Sequence, residues 1–284
     1  FLEKTYAETG ADFIAIPHNS NISRGFMFPV ENRLRGTAMD DEWLTLRARW
    51  EKVVEATQVK GDSETDPSLS PEDPFADFES FPYYLKPGVP AYSPEEGDFV
   101  RSALRTGLSI EQKTGINPYQ FGLIGSTDSH TGLATAEEGN FWGKMATDAL
   151  PENKADSSGH IEKLGWTMSA SGLAAVWAEE NTRQSIFDAF QRKEVYATTG
   201  PRIAVRVFAG TEFQPGDENT LDIAEVRAKG VPMGGELSAL DEAPSFLIHA
   251  AKDPKSASLD RVQMVKGWLK GSETFERVYD VAWS

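Results

Sequence analysis

The chain has 284 residues, 28 basic against 44 acidic side chains, a formal charge of −16, and 39% hydrophobic residues including 16 Phe, 7 Trp and 7 Tyr. That is enough apolar material for one large domain, or one domain plus a smaller one, and it excludes wholesale disorder. No apolar run approaches the ~20 residues of a membrane span, no basic block is available to hold a nucleic-acid backbone, and the lack of cysteine excludes thiolate catalysis, disulfides and sulfur-ligated zinc.

In chain order, Leu2, Tyr6 and Ala7 share a helical face that Gly10 ends, and Phe13–Ile16 follows as a short buried strand running into the polar loop Pro17-His18-Asn19-Ser20-Asn21. A second helix is expected from about Asp40 to Lys52, with Trp43, Leu46 and Trp50 at helical spacing. Val53 to Val59 reads as a strand containing Glu55. A Pro-rich loop insertion occupies about 62–95, and a stretch of that length inside a compact domain is usually a lid or rim. Ser93-Pro94-Glu95-Glu96 has the form of a capping box opening a helix with Phe99, Ala103 and Leu104 on its apolar stripe.

Phe121-Gly122-Leu123-Ile124-Gly125-Ser126 is a further strand, and it runs straight into Thr127-Asp128-Ser129-His130. About 139–171 is polar and Gly-rich without a period, a second rim insertion. Asn181 to Lys193 reads as a helix with Ile186, Phe187 and Phe190 on its core face. After Gly200-Pro201 the pattern changes to alternation, in Ile203–Val207, Ser245–Ala250, Arg261–Val265 and Arg277–Trp283. The expected organisation is therefore a first domain over 1–200 and a β-rich unit over 201–284.

Of the four histidines, His18 and His130 each follow a short apolar strand by a few residues, and Asp128 accompanies the second. In α/β barrels catalytic groups collect at such carboxyl strand ends. Imidazoles and carboxylates without thiols suit Zn²⁺, Mn²⁺ or Fe²⁺, which generate hydroxide near neutral pH. Structural alternatives exist: a lone histidine at a strand end is commonly just hydrogen-bonded, and Asp128 could cap a helix. Lys60, Arg24 and Arg202 are candidates to meet an anionic substrate. His160, in the second insertion, and His249, in an alternating strand, read as surface or structural residues.

The phrases ADFIAIPHN, VVEATQVKGDSE, LIGSTDSH and RQSIFDAFQRKEVYATTGPRI, spread over about residues 1–207, resemble the PHP (polymerase and histidinol phosphatase) superfamily. The likeness is to a bacterial branch described as a domain of unknown function with a β-rich C-terminal part. The resemblance implies an α/β fold, a distorted, seven-stranded, TIM-like β/α barrel holding two or three divalent metals (Zn, Mn or Fe), and hydrolysis of phosphoesters. By it, His18, Asp128 and His130 are metal ligands and catalytic residues, Glu55 is the bridging carboxylate with Glu64 as competitor, and Asn19 joins Arg24, Lys60 and Arg202 as substrate-binding residues.

PHP proteins open with an H-x-H pair on the first strand, and no histidine precedes His18. The barrel is thus expected to be incomplete at its N-terminus, with an upstream segment of the same polypeptide as partner. Residues 1–284 alone are expected to be a poor catalyst. A bacterial setting follows from the resemblance, with the periplasm placed ahead of the cytoplasm. The partners expected are a small anionic substrate, no nucleic acid and no membrane span. The competing functions are a non-catalytic binding protein on a degenerate barrel and an amidohydrolase-type enzyme acting on a non-phosphate substrate.

Overall fold

The computed structural model describes residues 1–85, 91–133, 137–140, 144–146, 150, 168, 172–220, 222–238 and 241–284. Helix α1 (Leu2–Thr9) ends where Gly10 adopts φ 71°, and the chain then runs beside the next strand instead of forming one. Phe13–Ile16 makes only Ala15 N–H to Trp50 O (2.8 Å), and Glu55 N–H reaches Pro17 O (3.2 Å), so no continuous ladder develops. Helix α2 (Asp41–Trp50) starts on Asp40, whose carboxylate accepts Trp43 N–H. Its buried face is Leu44, Arg47 and Trp50 rather than Trp43, Leu46 and Trp50. Arg47 can sit there because its guanidinium lies against the Trp43 and Tyr119 rings at 5.1 and 5.0 Å and its charge is met by Glu51.

Strand β1 (Val53–Gln58) is buried along its whole length and pairs antiparallel with the two-residue β2 (Gly61–Asp62) and parallel with β3 (Gly122–Gly125). Between them α3 (Val100–Thr114) presents Val100, Ala103 and Ile110 to Phe28, Leu44, Val54, Tyr119 and Phe121, the main apolar core. The capping box lies two residues later than expected: Glu95 and Asp98 bracket a 3₁₀ turn (Glu96–Asp98), and the helix begins only at Val100.

Strand β4 (Leu173–Val176) pairs antiparallel with β5 (Val195–Thr198), with α4 (Arg183–Gln191) between them in sequence. β5 lies against β3 at very close approach, since a Cβ on Gly125 would come within 2.9 Å of Thr198 O and within 2.7 Å of Leu173 O. Val53, Ile124 and Val195 form a second core with Ile14, Val176 and Phe190. β1, β3 and β5 thus make one layer whose carboxyl ends point the same way.

Beyond Pro201 the chain is rich in strands. β6 (Ala204–Gly210) pairs with β7 (Val231–Pro232) and β8 (Ser245–Ala251), with the short helix α5 (Ile223–Lys229) before β7, and β9 (Arg261–Lys270) and β10 (Glu273–Trp283) form a hairpin. The hairpin docks on α3, where Arg105 pairs with Glu276, and Ser70 Oγ donates to the same carboxylate (2.6 Å).

The expected β/α barrel is not formed. The described strands fall into sheets of two and three, none closed. Closure needs one continuous ladder with consistent tilt and stagger. Here β2 folds back antiparallel on β1, β4 runs antiparallel to β5, and Phe13–Ile16 adds no strand, so the ladder is interrupted on both sides of β1 and β3. Most of the 139–171 insertion, including His160, lies outside the described residues.

Candidate functional site

The carboxyl ends of β1 and β3 gather the charged residues. Glu55 points from a fully buried strand, and its carboxylate accepts His18 Nδ1–H (2.8 and 2.9 Å to its two oxygens), Ser126 Oγ–H (2.5 Å) and the Asn19 backbone N–H (3.4 Å). A carboxylate only accepts, so His18 carries its proton on Nδ1 and presents Nε2 as the free nitrogen. That nitrogen faces Asp128 Oδ1 at 3.6 Å. The His18 side chain is 44% exposed while Glu55 is 6% exposed, so a buried anchor holds a solvent-facing imidazole.

Asp128 is 5% exposed and sits at φ 50°, a left-handed conformation rare outside glycine and one that concentrates at functional turns. Its carboxylate binds the ammonium groups of both Lys60 and Lys144. His130 lies beside it, Nδ1 at 3.8 Å from Oδ1, and that same Nδ1–H donates to the Asp128 carbonyl at 2.9 Å, leaving Nε2 free here too. Lys60 is anchored by Gln58, whose Oε1 accepts both its backbone N–H (2.9 Å) and its Nζ (3.1 Å). Burial and then the neighbouring Lys144 charge push the Lys60 ammonium down, while the Glu55 carboxylate opposes that shift. The Lys144 charge likewise lowers His130, which favours the neutral imidazole.

His18, Glu55, Lys60, Asp128 and His130 are therefore brought together, and Asn19 adjoins them with its side-chain Oδ1 buried and unpartnered. Glu64 is not with them. It pairs with Arg101 and lines a groove of about 410 Å³ between α3 and the β9–β10 hairpin. Arg24 and Arg202 are exposed, and neither side chain has a hydrogen bond or ion pair to the cluster. Lys144, Ser126 and Gln58 join the site without having been singled out from sequence.

The donor chemistry of His18, Asp128 and His130 is that of a divalent-metal site, but the spacing is not. Among the described residues no group of three or more His, Asp or Glu side chains is placed to hold an ion. Two ammonium groups occupy the Asp128 carboxylate instead, and Glu55 is engaged with the Nδ1 side of His18. Such a carboxylate behind an imidazole orients the ring and raises its basicity, whether the ring meets a cation or a proton.

Imidazoles, carboxylates and lysines are thus gathered at the carboxyl-end side of the parallel strands β1 and β3, the edge at which open α/β sheets commonly bind ligands. The chain belongs to the family described as Protein of unknown function (DUF3604), which matches residues 1–284. No curated protein and no solved structure matches it.

Proposed function

We propose that this family is a branch of the PHP superfamily and that the His18–Glu55–Asp128–His130 cluster is the reaction centre of a hydrolase of small anionic esters, phosphoesters first. The observation that supports this most is the clamped His18: Glu55 fixes its tautomer and leaves a basic Nε2 beside Asp128 on a side chain that is 44% exposed. From there His18 takes a proton from the attacking water, a role worth about 10²–10⁴ in rate for a well-placed base. Asp128 holds Lys60 and Lys144 in place. Each ammonium has three donors, of which the described residues use two, so one N–H on each is left for the anionic oxygens of a substrate.

Metal dependence is the second reading, favoured by the approach of both His18 and His130 to Asp128 Oδ1. As spaced, the residues do not form that centre, and a divalent ion (Zn, Mn or Fe) has to displace the lysines from Asp128.

The experiment is a hydrolysis profile of phosphomonoesters, phosphodiesters and amides with the purified full-length protein, with metal analysis before and after chelation. Glu55→Gln and His130→Ala are expected to lower kcat for a phosphoester about 100-fold or more with the fold intact by circular dichroism. Unchanged turnover in both variants overturns the assignment. Stoichiometric metal that is lost in His130→Ala selects the second reading. Saturable binding of phosphoesters without turnover selects a binding protein, and turnover of amides alone selects the amidohydrolase-type alternative.

A further inference from the structure

A second charged cluster lies at the amino end of β5, the opposite end of the strand layer from His18. Glu194 is almost wholly buried, held by Arg192 (Nε to Oε1 2.9 Å) and, on its other oxygen, by Arg227 of α5. Arg206 of β6 stands next to them. Its guanidinium lies over the Trp177 ring at 4.5 Å and the Phe208 ring at 5.4 Å, yet its side chain has no hydrogen bond or ion pair to any described residue, and its Nε is buried without an acceptor. Trp177 is itself pinned, its Nε1–H donating to Val205 O at 2.9 Å. The sheet register places His249 of β8 directly opposite Arg206, so the two side chains leave the same face of the sheet about 5 Å apart at Cβ.

The charges do not balance. Among the described residues three guanidinium groups lie around one carboxylate, a surplus of two positive charges in a chain whose overall charge is −16. Burial and then the Arg227 charge work against the Arg206 cation, and Glu194 opposes them only in part. A guanidinium sandwiched between rings with free N–H groups is pre-oriented for a planar, two-pronged contact with an oxyanion.

We propose that Arg206, Arg227 and His249 form a binding site for a doubly charged tetrahedral oxyanion of the phosphate type, free or as the terminal group of a small molecule. A dianion cancels both surplus charges at once, and the Arg206 N–H groups gain the acceptor that the protein withholds. His249 adds a neutral donor, or a third charge when protonated. Because β5 separates this cluster from the imidazoles at its other end, the ligand is not the substrate of the proposed reaction centre, and binding here is independent of that assignment.

Histidine proton NMR tests it, since the chain has four imidazoles and His249→Gln identifies one of them. Inorganic phosphate added to the full chain at constant pH and ionic strength is expected to shift the His249 signal along a saturable curve, in Glu55→Gln as in the native protein. Sulfate should compete, and acetate, with one charge, should not. Arg206→Gln and Arg227→Gln are each expected to raise the midpoint about tenfold or more. Arg206→Lys keeps the charge and loses the two-pronged contact, so it keeps the test valid should Arg206→Gln or Arg227→Gln fail to fold, again with a raised midpoint expected. A His249 signal that does not move, a drift equal to that in chloride, or an unchanged midpoint in Arg227→Gln overturns the proposal. If the free ion fails to saturate while a phosphomonoester does, the terminal-group source is the one the site takes.

Discussion

The two ends of the β1–β3–β5 layer each bury a carboxylate between cations, and they do it differently. At the amino end Glu194 is held by guanidinium groups, which stay charged at any working pH and grip in a fixed plane. At the carboxyl end Asp128 is held by the ammonium groups of Lys60 and Lys144, compact charges on flexible stems, with an imidazole on either side. Left-handed backbone outside glycine occurs at both ends, at Asn19 (φ 58°) and Asp128 (φ 50°) and at Lys193 (φ 60°) beside Glu194. One end is built to stay charged and fixed, the other to exchange partners. Loss of a charge should therefore be felt as lost stability at the amino end and as lost chemistry at the carboxyl end.

The largest stability effect is expected from Glu194→Ala. Removing a carboxylate that is 2% exposed strands Arg192 and Arg227 beside the already unpartnered Arg206, and because those two arginines are 44% and 38% exposed the loss is about 2–4 kcal/mol, below that of a fully buried pair. Urea denaturation measures it. A loss below about 1 kcal/mol, the value of a solvated surface pair, would erase the distinction between the two ends. Glu55→Gln, at the other end, keeps the shape and the Ser126 contact and is expected to cost activity well before stability.

Next in size is Gly125→Ala, which tests how tightly the carboxyl end is drawn together. The new methyl would meet Leu173 O at 2.7 Å, Leu173 N at 2.8 Å and Thr198 O at 2.9 Å, all backbone atoms that cannot turn aside. The expected loss is about 1–3 kcal/mol, the usual range for an overpacked core. Thermal unfolding with no change in midpoint would mean that β3, β4 and β5 are not packed as described.

Much of this comparison was legible in the sequence and part was not. Apolar runs mark β1 and β3, and Asp128 and His130, just past β3, reach the β1 side because the two strands run parallel, while His18 follows the apolar run Phe13–Ile16, which lies beside β1 without forming a strand. Lys144 was invisible. It enters from a polar segment 16 residues after Asp128, where no periodicity ties a side chain to a direction. Arg47 was hidden for the opposite reason, being a charged residue on a buried helical face that only the rings around it make tolerable. Strand identity is written in local alternation, but strand partners are not. Nothing in Leu173–Val176 says that it runs antiparallel to Val195–Thr198, and that pairing is one of those that leave the layer open.

The last expected effect separates the two ends by pH. Asp62, on β2 just past the carboxyl end of β1, accepts the Glu64 backbone N–H at 2.5 Å, but burial, and then the Glu64 charge, push its carboxyl up from 3.8 to about 8. The folded protein thus holds this proton more tightly than the unfolded chain does. The contribution to stability is fully present below about pH 4, where both states are protonated, and it is lost as the pH rises through about 8. Asp62→Asn keeps the acceptor for Glu64 N–H and removes the ionisation. It should therefore match the native protein at pH 4 and unfold at a clearly higher temperature at pH 9, each kcal/mol of difference being worth about 2–4 °C in a chain of this size. Glu194 is held by two guanidinium groups, so a Glu194→Gln variant, which removes their charged partner, should fall below the native protein at pH 7. Parallel melting curves for Asp62→Asn and the native protein from pH 4 to 9 would show that the carboxyl end does not store a buried charge at the expense of stability, and the contrast with the amino end would then rest on Asp128 and its lysines alone.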